Sequence, residues 1–457
     1  MIDPARIRVL VDQPPRPGEY VLYWMQQSQR TRLNHALEVA AGWANELGVP
    51  LVVGFGLLDT YPGANARHFA FMLQGLREVE RELADRGIAF CLRRGSPPEV
   101  AARLAKDACL VVCDVGYLRH QRAWRRELAR AVQTRVLQVE SDVVVPVEAV
   151  SDHREFGART IRPKLHRLID EYEHGLARTR VRNDASGLRF PGHVALDDLD
   201  GLVARMKVDH TVPPVKRFTG GASQARKRLR SFLRERLRGY ATIRNEPVNE
   251  RVSYLSPYLH FGQIAALDIL LEARKAKDAT PDDRAAFIEE LVVRRELAIN
   301  FVHHEPDYDR FACLPDWAKK TLEIHRSDPR PHRYTRAQLE AARTHDPYWN
   351  ASMREMIHTG YMHNYMRMYW GKKILEWSGT PEHAHRITLE LNDKYFLDGR
   401  DPNGYTNVAW CYGLHDRAWA ERDIFGKVRY MSLEGLERKF DMAAYVDWVD
   451  ELVARER

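Results

Sequence analysis

The sequence predicts an α/β N-terminal region built on a doubly wound parallel five-stranded sheet, followed by an all-α C-terminal region. Three observations carry this. Between residues 20 and 150, short continuous apolar runs alternate with segments of helical periodicity. From about residue 222 the periodicity is helical, with few strand-like runs. Between the two lies an irregular stretch in which Pro, Gly and charged residues mix. The expected organisation is therefore an α/β unit over 1–150, a connection over 151–221 draped on both halves, and a helical unit over 222–457.

The expected strands are Tyr20-Val21-Leu22-Tyr23-Trp24, Leu51-Val52-Val53-Gly54-Phe55, Ile88-Ala89-Phe90-Cys91-Leu92, Leu110-Val111-Val112-Cys113 and Val136-Leu137-Gln138-Val139. Helical patterns fall between them at about 31–47, 65–86, 97–106 and 117–132. No Gly-x-Gly-x-x-Gly follows the first strand, so this half carries no dinucleotide fingerprint. Pro213-Pro214 and Gly220-Gly221 mark breaks in the connection. The first helix beyond it runs from Gln224 to Leu237. Leu229, Phe232, Leu233 and Leu237 form its apolar stripe, and its other face is basic. A solvated surface is the usual explanation of such a face, and phosphate contact is the sharper alternative.

The formal net charge is +7 over 457 residues, a mild bias toward polyanionic partners. The five cysteines, Cys91, Cys109, Cys113, Cys313 and Cys411, are scattered and odd in number, which predicts free thiols in a reducing cytosol. No apolar core follows the first residues, so no signal peptide is expected, and the run from Pro50 to Leu58 is too short to span a bilayer. His303-His304 and His358…His363 lack a third ligand at recognisable spacing, so no metal is expected.

The densest concentration of chemistry is Leu391-Asn392-Asp393-Lys394-Tyr395-Phe396-Leu397-Asp398-Gly399-Arg400-Asp401-Pro402-Asn403-Gly404-Tyr405. It follows a segment, His345 to Trp377, crowded with Trp, Tyr, Met and His. Carboxamides and carboxylates beside aromatic rings suit a flat ligand with polar edges. The turn-forming residues predict a chain reversal that presents these groups.

Further motifs accompany it in order: Tyr240…Arg244-Asn245, Leu255-Ser256-Pro257-Tyr258-Leu259-His260-Phe261-Gly262, Phe287-Ile288-Glu289-Glu290, Arg294-Arg295-Glu296-Leu297, Thr344-His345-Asp346-Pro347-Tyr348-Trp349-Asn350, Thr359 to Trp370, and Phe425 to Ser432. Together they resemble the class II cyclobutane pyrimidine dimer photolyases, light-driven flavoenzymes of the photolyase/cryptochrome family that repair ultraviolet damage in DNA. The resemblance extends over nearly the whole chain. It implies FAD as the cofactor that carries the electron chemistry. It also implies that the N-terminal unit can hold a second, light-harvesting chromophore of deazaflavin or folate type, whose presence the sequence leaves open.

The resemblance distributes roles as follows. Tyr240 and the turn Ser253-Tyr254-Leu255-Ser256 match the region that binds the flavin phosphates and ribityl chain. Asn364 and Arg367 match flavin-edge residues, and Asp398 the carboxylate that pairs with this arginine. Asn392 matches the asparagine facing flavin N5, with the nearby Asn403 as its competitor. Glu290 matches the acid beside the lesion, expected to have a raised pKa in a water-poor pocket; Glu289 is the adjacent alternative. Met368 and Trp410 match residues packing on the flipped dimer. Some class II members carry Trp where this chain has Arg294, so the wall beside the lesion departs from theirs.

Trp370 and Trp377 lie seven residues apart, a helical rise of roughly 10 Å. The resemblance implies an electron-transfer row of Trp370 nearest the flavin, then Trp349, then Trp377 at the surface. Arg417, Trp419 and Arg429 match the part that enters the DNA bubble left by base flipping, as photolyases are known to produce. The implied partner is damaged DNA, single- or double-stranded, and the implied protein a cytoplasmic monomer, associated with the nucleoid in a bacterium. Two related readings remain open from sequence: a cryptochrome-like photoreceptor, and a (6-4) lesion enzyme using His260 or His363.

Overall fold

The structure is a computed structural model that describes residues 2–248 and 250–456. Its sheet has six strands: β1 (Ile7–Val11), β2 (Tyr20–Trp24), β3 (Leu51–Leu57), β4 (Ala89–Arg94), β5 (Ala108–Asp114) and β6 (Val136–Val139). Their order is β1-β6-β5-β2-β3-β4. The five expected strands pair in parallel, each where its apolar run predicted. The expected count of five is corrected to six, because β1 adds an antiparallel edge along β6. Its sequence, Ile-Arg-Val-Leu-Val, is not continuously apolar, and Val9 is half-exposed. An edge strand with one solvated side needs no such run.

Side chains alternate across the sheet. Val21, Tyr23, Val53, Phe55, Leu110 and Val112 enter one core, with helices His35–Leu47 and Ala66–Ala84. Leu22, Trp24, Val52, Val111 and Cys113 enter the other, with Pro97–Leu104 and Arg119–Ala131. Each fully buried side chain of this size contributes about 1.5–3 kcal/mol.

The stretch 151–221 is less irregular than its composition suggested. It contains the helices Ala158–Tyr172 and Leu199–Ala204. Ile161, Leu165 and Ile169 pack with Phe232, Phe287 and Leu291 of the helical half. Leu199, Leu202 and Val203 pack on the sheet side.

Three helices that shape the site begin in one way. Asp346, Thr380 and Asp401 cap Pro347–Thr359, Pro381–Tyr395 and Pro402–Cys411, each with proline in the first helical positions. The helix carrying Glu290 runs from Pro281 to His304 through a π-helical turn at Glu289–Arg294. Such turns swing side chains off the regular helical register.

Gly262 joins the two halves. Its carbonyl accepts a hydrogen bond from Arg30 Nη1 at 3.0 Å, and Arg30 also pairs with Asp142 at 3.1 Å. Its φ is +65°, and a Cβ there would lie 2.1 Å from the Gln27 carbonyl oxygen. Gly262→Ala is expected to destabilise the protein by about 2 kcal/mol or more, read as a lower urea midpoint.

Candidate functional site

The Asn-Asp-rich run is two helix ends joined by a tight reversal. Asn392 lies in the last turn of Pro381–Tyr395, and Asn403 in the first turn of Pro402–Cys411. Neither is on the open loop that the turn residues suggested. The reversal is braced internally: Arg400, at φ +61°, donates its backbone N–H to Asp393 Oδ1 at 2.8 Å and its Nη1 to the Asp393 carbonyl at 2.6 Å. Burial pushes the Asp393 carboxyl up. Asn392 is buried and donates to Asp393 Oδ1 at 2.9 Å. Gly404 packs against it, since a Cβ there would stand 3.1 Å from Asn392 Nδ2. Asn403 donates both its backbone N–H and Nδ2 to the capping Asp401 at 2.9 Å. Each carboxamide thus gives its Nδ2 to a neighbouring carboxylate, Asn392 to Asp393 and Asn403 to Asp401, and of the two Asn392 is the buried one.

The reversal carries Asp398 to Arg367. The guanidinium and carboxylate meet as a fork, at 3.1 and 3.2 Å. Arg367 also donates Nε to the Met362 carbonyl at 3.0 Å and stands 3.9 Å from the centre of the Phe396 ring. Asn364, one turn earlier, is exposed. His363 caps this helix through Nδ1, and its Nε2 lies 3.0 Å from the Arg244 carbonyl oxygen. Burial pushes the His363 pKa down to about 4, so the ring is neutral at physiological pH. His260 pairs with Asp401 at 3.1 Å. Both histidines therefore have structural partners.

Tyr240, Arg244 and Glu290 form a second line. Arg244 Nη1 meets Glu290 Oε1 at 2.7 Å, and its guanidinium lies 5.8 Å from the centre of the buried Tyr240 ring. Glu290 does not sit in the water-poor pocket expected for it. Arg244 reaches it from a neighbouring helix, and 37% of its side chain is exposed. Glu289 turns the other way, to Arg162 at 2.7 Å and Arg294 at 3.1 Å. Arg294 is therefore a half-exposed ion-pair partner rather than a bare wall.

Nearby, Tyr254 adopts a left-handed φ of +56°, Ser253 Oγ accepts from Leu255 N at 3.4 Å, and Ser256 opens a short helix with Pro257. Sequence reasoning missed Arg217, buried among Phe218, Tyr254, Tyr361 and Trp448. Among the described residues, Arg217 Nη1 and Arg244 Nε are buried without a hydrogen-bond partner. Unpaired guanidinium donors beside aromatic faces fit a ligand with phosphates and rings.

The three tryptophans come together. Trp349 donates Nε1 to the Trp370 carbonyl at 3.0 Å, and the Trp349 and Trp377 rings are 5.4 Å apart at 69°. Trp377 is not at the surface as expected. It is 2% exposed, roofed by Tyr334 at 5.2 Å and His345 at 5.5 Å.

Trp410 is half-buried, with the Arg429 guanidinium 5.2 Å from its ring centre. Arg429 also lies 4.3 Å from the ring of Trp419 and pairs with Asp416 at 3.1 Å. Arg417 is exposed, 4.9 Å from Trp419. Met368 is half-buried on the helix Asn364–Trp377. The hairpin bearing Trp419 is pinned to helix Asp316–Ile324 and to the turn beyond it: Lys427 N donates to Thr321 Oγ1 at 3.0 Å, and Ile424 N to Asp328 Oδ2 at 2.8 Å. His325, Asp328 and Asp423 are the one group among the described residues with metal-ligand proximity. His325 is already engaged there, by Asp328 at 2.6 Å and Glu421 at 3.1 Å.

A pocket opens beyond the carboxyl ends of β2 and β3, lined by Gln26, Tyr61, His68, Trp124, His260 and Arg400 among others. It lies where the strand order reverses, a usual ligand position in such sheets. It draws on distant segments, so no local motif announced it.

A DNA photolyase family model matches residues 21–181. The chain is 48% identical to the deoxyribodipyrimidine photo-lyase of Methanothermobacter thermautotrophicus, over 99% of this chain and 100% of that one. It is 42% identical to that of Oryza sativa subsp. japonica, over 99% and 92%. The fold matches an archaeal photolyase from Sulfolobus tokodaii, solved with two FAD molecules, at a TM-score of 0.69 and 16% identity, over 94% of this chain and 90% of that one.

Asp398→Ala leaves the Arg367 charge buried and unpaired. It is expected to cost about 3 kcal/mol in stability, read by denaturant unfolding.

Proposed function

We propose residue roles for this chain on the premise that it belongs to the DNA photolyase family. Its reaction is light-driven repair of pyrimidine dimers in DNA, that of a deoxyribodipyrimidine photo-lyase. The class is proposed to be class II and the lesion the cyclobutane dimer, on the motifs from Tyr240 to Ser432.

The proposed cofactor is FAD, supported by the family and by unpaired guanidinium donors beside aromatic rings and a buried carboxamide. Bound there, FAD would supply the photoexcited electron that splits the dimer. Arg217, Arg244, Tyr240 and the Ser253–Ser256 turn would hold its phosphates and ribityl chain. The Arg367–Asp398 fork would sit at the ring edge with Asn364, and Asn392 would offer its amide to N5. The buried fork carries this reading: it joins Arg367, on the helix Asn364–Trp377, to Asp398, on the reversal that follows the helix bearing Asn392.

On the DNA side, Glu290 would hydrogen-bond the pyrimidine edge, and Arg244 would supply countercharge to the reduced dimer. Met368 and Trp410 would pack against the flipped bases. Arg417, Trp419 and Arg429 would enter the bubble and anchor phosphates. Trp370, Trp349 and Trp377 would relay electrons inward. The protein is proposed to act as a monomer with cellular DNA, in the cytoplasm or nucleoid. Among the described residues no helix is long and apolar enough to cross a membrane.

The deciding experiment is repair of a thymine-dimer oligonucleotide by flavin-loaded, reduced protein in blue light and in darkness. Base absorbance is expected to recover only in light. Glu290→Ala and Asn392→Ala are each expected to lower the yield by about tenfold or more. No recovery in light overturns the reading in favour of a photoreceptor or a (6-4) enzyme.

The cavity beyond β2 and β3 is proposed as the site of a light-harvesting chromophore of deazaflavin or folate type. Its aromatic lining and its two polar ends, Gln26 and Arg400, support this. Ala64→Trp is expected to abolish the second chromophore's absorbance in reconstituted protein while leaving repair at saturating light unchanged.

A further inference from the structure

The helix Asn364–Trp377 buries a lysine completely. Lys372 has 0% exposure, and its one hydrogen bond runs to the carbonyl oxygen of Cys411, at 2.5 Å. Its neighbour Lys373 has a carboxylate, Glu376, at 2.7 Å. Lys372 has none: the nearby Asp416 is taken by Arg429. An ammonium buried with one neutral acceptor destabilises a fold, and an apolar side chain of similar length would be tolerated better. Its surroundings show what the charge faces. The Lys372 ammonium stands 5.3 Å from the centre of the Trp410 ring, and the Arg429 guanidinium 5.2 Å. Two cations thus address the indole proposed above as the dimer's wall.

We propose that Lys372 is a positioning residue for dimer repair: its buried charge orients and polarises Trp410, and through that ring stabilises the negative charge the dimer carries while reduced. The proposal rests on the reading of Trp410 as that wall. A charge in a water-excluded site, set before the reaction, acts far more strongly than the same charge in solvent. The dimer takes up one electron and returns it, so Lys372 itself exchanges neither electron nor proton.

The groups facing Lys372 are Cys411, Asp416 and Arg429. Burial pushes its pKa down to about 8, and pushes the Cys411 thiol up to about 11. Above pH 8 the folded protein therefore loses the Lys372 proton while the unfolded chain keeps it to about 10.5. The unfolded state then binds more protons, so stability rises with pH in that window. Repair should fall in the same window.

The test compares wild type, Lys372→Met, Lys372→Arg and Trp410→Phe, measuring repaired dimers per absorbed photon, dimer affinity and thermal midpoint from about pH 6.5 to about pH 9.5. Lys372→Met is expected to keep dimer affinity within about twofold and the thermal midpoint at or above wild type. Its repair yield is expected to fall by about three- to tenfold, less than the loss of a donor in direct contact. The wild-type yield is expected to drop through about pH 8 while that of Lys372→Met stays flat. Lys372→Arg is expected to retain most of the yield. A wild-type yield and pH profile in Lys372→Met overturns the proposal, as does a loss of affinity and stability with the yield per bound dimer unchanged. If Lys372→Met fails to fold, a flat wild-type profile through pH 8 overturns it. Trp410→Phe separates the two readings: full dimer binding and repair in that variant sinks the assignment of Trp410 itself.

Discussion

The site depends on one buried ion pair, Arg367 with Asp398. Its residues come from a helix and from the reversal that follows the next helix, so closing the fork fixes how those two elements meet. Everything else on the reversal inherits that geometry. Asn392 is held on one side, Asp401 caps the next helix on the other, and that helix ends in Trp410 and Cys411. A bidentate fork suits this task because it sets direction as well as distance. Its desolvation is offset only while both partners stay in place.

The remaining buried polar groups follow the same logic. Asp393 is braced by Arg400, Arg30 by Asp142, and Glu289 by two arginines. Several groups break it. Arg217 and Arg244 keep unpaired donors, Lys372 lacks a carboxylate, and buried atoms of the α/β half such as His35 Nδ1, Arg93 Nε and Arg125 Nη2 have no partner either. The first three lie in or beside the proposed flavin and lesion sites.

Much of this was legible in the sequence. Strands buried on both faces must be continuously apolar, so five were visible as runs, whereas β1 was hidden because an edge strand tolerates Arg8. The reversal was visible in its turn residues, though the helices flanking it reach further than those residues suggest. Contacts between distant segments were not legible. Nothing near Glu290 in sequence announces Arg244, 46 residues away, and nothing near Trp377 announces the roof of Tyr334. Lys372 was hidden for a different reason. A lysine in a helix reads as a solvated position, and only tertiary packing makes it interior.

The pinned hairpin has a consequence for searching. Trp419 and its neighbours stand on a segment tied to Thr321 and Asp328 before any DNA arrives, so this surface need not be ordered on contact. On the role proposed for Trp419, a finger held in this way would not adapt to intact duplex. Each encounter would then be a mechanical trial of the DNA, whose outcome turns on how readily a given base step opens. Damaged steps, already poorly stacked, would yield most easily, and the stiffness of the hairpin would become a means of discrimination.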